Sequence, residues 1–133
     1  MLYPMFAMIV LTSIVGVMVL SVRIKSVKAG QVRLRSLKLM ENEGWPELVQ
    51  KTTNNFSNQF EIPLLFYVAG VAYLALGIDS FVGLVAAWSF VVFRVIHAYI
   101  HITYNHILHR LTAFWLAFMA VLVMWINLLV IAG

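Results

Sequence analysis

The stretch "NQFEIPLLFYVAGVAYLALG", residues 58–77, decides the fold. From Leu64 onward it carries no charge, yet Glu61 stands at its entrance. A carboxylate in hydrocarbon is costly unless something answers it, so it marks a functional-site candidate whose partner has to be found. Extended upstream, the stretch reads as a span from about Thr52 to Gly77, enough to cross a bilayer at roughly 20 residues per crossing. Three further apolar runs have similar lengths: residues 2–22, 81–104 and 111–132. Each is too long for a barrel strand and none alternates with period two, so only helices suit them. The expected fold is all-α: an integral membrane four-helix bundle forming a single domain over residues 1–133.

Composition agrees. Hydrophobic residues make up 63% of the chain and charged ones 11%, against about one-quarter charged in soluble domains. There is no cysteine. This excludes a disulfide framework, a thiolate metal site and a protein thiol nucleophile, so any thiol chemistry must arrive with a ligand. Six of the nine Lys and Arg fall between Arg23 and Lys38. Because this basic run abuts an apolar span, it reads as a cytoplasmic loop rather than a nucleic-acid surface. No basic residue precedes the first apolar run, which favours an uncleaved anchor over a signal peptide. The expected topology places residues 23–51 and 105–110 in the cytoplasm, and the "GIDS" turn and both termini outside. Within the long loop, "ENEGWPE" (residues 41–47) reads as a polar connector, with Trp45 suited to the lipid interface.

Two polar faces emerge at helical periodicity. Asn54, Asn58 and Glu61 fall within about 60° on the second span. Arg94, His97, His101, Tyr104 and Asn105 fall within roughly 100° on the third. Glu61 lies about 13 Å deep and Arg94 about 16 Å, at ~1.5 Å per residue. Arg94 is therefore the expected partner of Glu61, in a bidentate pair. Such a pair could serve only to register two helices. The further polar residues on both stripes point instead to a cleft open to the cytoplasmic side. A relay of Glu61 and the histidines in an ion-coupled carrier is a third reading, weakened by the lack of an internal repeat. His97 and His101 have i, i+4 ligand spacing. With no HExxH motif and the one buried carboxylate facing an arginine, no metal site is expected. Pro63 removes the helical donor for the Gln59 carbonyl and is expected to kink the helix beside Glu61.

The combination of "NQFE" (Asn58, Glu61) followed by Pro63, then "RVIHAYIH" (Arg94, His97, His101), then Arg110 sixteen residues after Arg94, resembles the MAPEG family. These are the membrane-associated proteins in eicosanoid and glutathione metabolism. The likeness is to the microsomal glutathione transferase branch, among bacterial relatives. It implies a left-handed four-helix bundle assembled as a homotrimer in a bacterial inner membrane. It also implies glutathione bound between subunits near the cytoplasmic face, with a lipophilic substrate arriving from the lipid bilayer to be conjugated or reduced; the rival reading is a non-catalytic membrane protein whose polar faces serve assembly or bind another anionic small molecule. On this resemblance Arg110 is the catalytic residue that serves the thiol. Asn54, Asn58, Glu61, Arg94, His97, His101 and Tyr104 are the candidate glutathione-binding residues. The chain departs from the family pattern at Asn54, often an arginine there, and at His101, often a tyrosine.

Overall fold

The computed structural model describes residues 1–41 and 43–133; Asn42, within the loop read as a polar connector, lies outside the described residues. The helices are α1 (Leu2–Lys28), α2 (Leu34–Leu39), α3 (Glu47–Ser57), α4 (Ile62–Ala75), α5 (Phe81–Ile102) and α6 (Ile107–Ala132), with a 3-10 turn at Asn58–Phe60 between α3 and α4. No strand occurs among the described residues. Three helices, α1, α5 and α6, are long and apolar enough to cross a membrane. Large apolar side chains such as Phe6, Val68, Val92 and Ile126 are exposed around the outside. In water they would be a liability; in a bilayer they face hydrocarbon. The chain is an all-helical integral membrane protein.

The α5 sequence explains how the bundle closes. Its buried residues include Gly83, Ala87, Phe90, Arg94, His97 and His101, a 4-3 alternation that forms a single seam along a helix. The first half of the seam is apolar and the second half polar. α6 answers with Ala113, Ala117 and Ala120, small side chains that let an antiparallel neighbour approach closely. α5 and α6 make the most extensive helix pair in the molecule. The main core draws Met8 from α1, Phe66, Ala69 and Tyr73 from α4, Phe90 from α5, and Val121 and Met124 from α6.

The second apolar stretch is not the continuous helix expected over residues 52–77. α3 starts at Glu47, the backbone leaves helical geometry at Glu61 (φ −88°, ψ −100°), and α4 starts at Ile62. Pro63 sits in the first turn of α4, where its missing N–H costs nothing and its fixed φ suits the helix. It starts a helix rather than bending one. Other boundaries differ by a few residues: α1 continues to Lys28, α5 stops at Ile102, and α6 begins at Ile107.

The end of the bundle away from the break is tied by side chains. α4 closes with Gly77 at φ 63°, with Ile78 N donating to Tyr73 O and Gly77 N to Leu74 O at 3.0 and 3.2 Å. This is a Schellman ending, which requires a residue tolerant of the left-handed region. Ser80 then caps α5 by accepting from Gly83 N at 3.1 Å. The Asn127 carbonyl on α6 accepts from the Ser80 hydroxyl at 2.6 Å and from the Tyr73 hydroxyl at 2.9 Å.

The long first loop is folded. Trp45 is buried rather than interfacial, and clusters with Val32 and Val49 against Leu37. Its indole N–H donates to Ser36 Oγ at 2.7 Å, and the Arg23 guanidinium lies over its ring at 5.9 Å.

Candidate functional site

The break between α3 and α4 frees backbone groups inside the bundle, and these must be answered there because hydrocarbon offers no donors. Arg94, fully buried on α5, donates from Nη2 to the Asn58 carbonyl at 2.7 Å. Among the described residues it forms no ion pair with Glu61; the ion pair present is Lys51–Glu47. The expected Glu61–Arg94 pair is therefore replaced by two charge–backbone arrangements. Arg94 donates to the carbonyl of Asn58, the C-cap of α3, and Glu61 occupies the N-cap of α4, where a negative charge suits the helix dipole. The Glu61 side chain is exposed and makes no cap bond, so its carboxylate is free to face a ligand.

Above Arg94 lies a cleft of about 470 Å³, lined by Asn54, Ser57, Asn58, Glu61, His97, His101, Ile107, Arg110, Leu111 and Phe114. Three elements build it. The end of α3 and the following turn supply the amides, Ser57 and Glu61; the polar half of the α5 seam supplies the histidines; and the first turns of α6 supply Arg110 with three apolar neighbours. Asn58 is fixed by donating from Nδ2 to the Asn54 carbonyl at 2.9 Å. Arg110 donates from Nη1 to Asn105 Oδ1 at 2.8 Å. Asn105 holds φ 48°, a left-handed conformation that asparagine tolerates better than most residues.

The cleft has unspent hydrogen-bonding capacity. His97 and His101 are 2% and 4% exposed, and their rings meet edge-on with centroids 5.8 Å apart. Nδ1 of each is buried without a partner among the described residues, as are Nε and Nη1 of Arg94. Orphaned polar atoms of this kind are costly; these four lie behind the cleft wall, and others, on Arg23, Asn55 and Gln59, belong to residues that do not line it. Among the described residues no group of three or more His, Asp or Glu converges as a cation site would require.

Of the eight residues singled out from sequence, Asn54, Asn58, Glu61, His97, His101 and Arg110 line the cleft. Arg94 lies beneath it. Tyr104 is brought elsewhere: it is exposed, and its hydroxyl pairs with His109 Nδ1 at 3.2 Å. α5 ends at Ile102, so the helical periodicity that put Tyr104 on the polar face no longer holds at that position. Sequence reasoning missed Ser57, Ile107, Leu111 and Phe114. The signal was present: residues 54, 57, 58 and 61, and residues 107, 110, 111 and 114, each repeat the i, i+3, i+4, i+7 spacing of one helix face.

The comparisons with known proteins agree with this architecture. No curated protein matches the chain, and no solved structure does. The family model described as MAPEG family matches residues 1–130, which takes in every helix that lines the cleft. The chain belongs to the MAPEG family.

Proposed function

We propose that the protein is a glutathione-dependent membrane enzyme of transferase or peroxidase type. The cleft takes glutathione from the cytoplasmic side, at a site completed by a neighbouring subunit of a homotrimer. The observation that carries the reading is the convergence of Arg110, Glu61, Asn58 and two histidines on one cavity over a buried arginine. The cavity volume lies in the ~300–1,000 Å³ range of small-molecule sites. Glutathione carries two carboxylates, an amine and a thiol. The guanidinium and amide donors suit the carboxylates, and the Glu61 carboxylate suits the amine. Ile107, Leu111 and Phe114 make one wall apolar, as a lipophilic acceptor from the bilayer requires.

Arg110 has the chemistry to serve the thiol. A free thiol ionises near pKa ~8.5, and bringing it down by about two units takes roughly 2.7 kcal/mol of preferential thiolate stabilisation. A permanently charged, partly desolvated guanidinium held by Asn105 can supply this. In conjugation the thiol proton goes to solvent, the thiolate sulfur bonds to an electrophilic carbon, and the bond from that carbon to its leaving group breaks, the group departing as an anion with the electron pair. In peroxide reduction two glutathione molecules become one disulfide, while a hydroperoxide becomes an alcohol and water.

The test is glutathione titration of the detergent-solubilised protein, with ultraviolet thiolate absorbance and transfer rate as readouts. Saturable binding with thiolate absorbance near neutral pH is expected. Arg110→Lys keeps the charge but loses the fork of donors, and should weaken the absorbance and slow transfer while assembly is unchanged. No binding at millimolar glutathione would reject the reading. It would leave the cleft to another anionic small molecule, without catalysis.

A further inference from the structure

We infer that α2 is a binding foot for an anionic phospholipid of the leaflet that adjoins the C-terminal end of α1. The proposal rests on the two faces of this short helix and on its height relative to the membrane, and is independent of the chemistry in the cleft.

One face of α2 is used internally. Ser36 accepts from the Trp45 indole, and Leu37 packs on the Val32–Trp45–Val49 cluster. The opposite face is unusual for a loop meant to sit in water. Leu34 and Leu39 are 72% and 53% exposed, followed by Met40 at 50%. Leu34 and Leu39 line a groove together with Arg35 and Lys38. Among the described residues no carboxylate lines that groove. Glu41 and Glu43 face a different hollow, with Arg33 and Trp45. Among the described residues neither Arg35 nor Lys38 has an ion-pair partner.

Two cations beside two exposed leucines match one chemistry: a phosphate diester with an acyl chain attached. A nucleic acid or free phosphate would use the cations and leave the leucines wet. A plain hydrocarbon surface would leave the cations without an anion. Height supports the lipid. The apolar run of α1 ends near Val22, after roughly one hydrocarbon thickness. Residues Arg23–Lys28 then carry the helix into the headgroup layer, and Gly30 at φ 70° turns the chain immediately into α2. The rigid anchor is the Trp45 cluster, which holds the inner face while the outer face meets lipid.

The test uses the purified protein in vesicles of phosphatidylcholine and phosphatidylglycerol, with spin-labelled lipid of each headgroup reporting relative association. Preference for phosphatidylglycerol is expected. The variant R35Q/K38Q should reduce it by roughly fivefold per cation removed. R35K/K38R should retain it, and R33Q, in the separate hollow shared with Glu41 and Glu43, should change it far less. The substitutions lie on an exposed face, so folding is not at risk. Three results would overturn the proposal: no headgroup preference in the wild type, an equal loss with R33Q, or displacement of the labelled lipid by inorganic phosphate alone. A loss of preference on raising the protein-to-lipid ratio would also overturn it, assigning the face to a second copy of the chain.

Discussion

Arg94 reaches 36 residues back along the chain to bond the carbonyl oxygen of Asn58 at 2.7 Å. A residue expected to neutralise a carboxylate instead mends an interrupted helix. The carboxylate is thereby released into the cleft, and the buried guanidinium lies below it.

Stability should therefore separate the two charges. Arg94→Leu removes the charge-assisted bond to the part-buried Asn58 carbonyl, worth about 1.5–3 kcal/mol. Glu61→Gln touches an exposed side chain without a cap bond and should stay within about 0.5 kcal/mol. Thermal unfolding in detergent measures both. Equal losses would mean that the pair acts as an ion pair after all.

Asn105 should behave as a positioning residue for Arg110. Asn105→Gly accepts the left-handed backbone at no steric cost but deletes the acceptor of the 2.8 Å bond. On the proposed activity, glutathione transfer should slow by about tenfold, equivalent to ~1.4 kcal/mol, with the unfolding temperature nearly unchanged. Asn105→Asp should recover most of the rate, since it keeps the acceptor. Failure of that rescue would reduce Asn105 to a turn former.

Asn127 should be among the least replaceable polar residues in the apolar half of the bundle. It accepts from two hydroxyls, and Asn127→Leu leaves the Ser80 hydroxyl without that partner while Tyr73 retains the Met124 carbonyl at 2.9 Å. A loss of about 1–3 kcal/mol is expected. Tyr73→Phe should cost less, about 1 kcal/mol. Reversal of that order in unfolding measurements would show that Asn127 is peripheral.

Trp45 should control the protease sensitivity of the first loop. Trp45→Ala empties the small cluster, a change of about 3–5 kcal/mol in a core, and frees Ser36. Trypsin should then cleave at Arg33, Arg35 or Lys38 much faster than in wild type. Trp45→Phe, which keeps most of the packing, should stay close to wild type.

The helices were legible because apolar length is a coarse signal that survives small errors of boundary. The seam of α5 was legible for the same reason: Arg94, His97 and His101 keep their spacing whatever they touch. The Glu61–Arg94 pairing was not, because it assumed an unbroken helix from Thr52 to Gly77. Pro63 marked the neighbourhood of the break but not which carbonyl would come free, and a backbone acceptor leaves no mark in a list of side chains. Tyr104 failed in the same way, two residues past the end of α5. Asn127 stands in the sequence as a lone amide in an apolar run and was not singled out there; its two partners come from α4 and the cap of α5. That meeting exists only once the bundle has formed.

The interrupted leg also bears on how the chain enters a membrane. α4 has 14 residues, which cover about 21 Å at ~1.5 Å per residue, well short of the ~30 Å of hydrocarbon. The segment before it is the polar α3, so insertion machinery that reads hydropathy meets three clear spans and one weak one. During synthesis the weak segment emerges before α5, and Arg94 follows 36 residues after Asn58. Until α5 arrives, the Asn58 carbonyl has no guanidinium to meet it. The second leg thus finds the partner of its Asn58 carbonyl only once α5 is packed beside it.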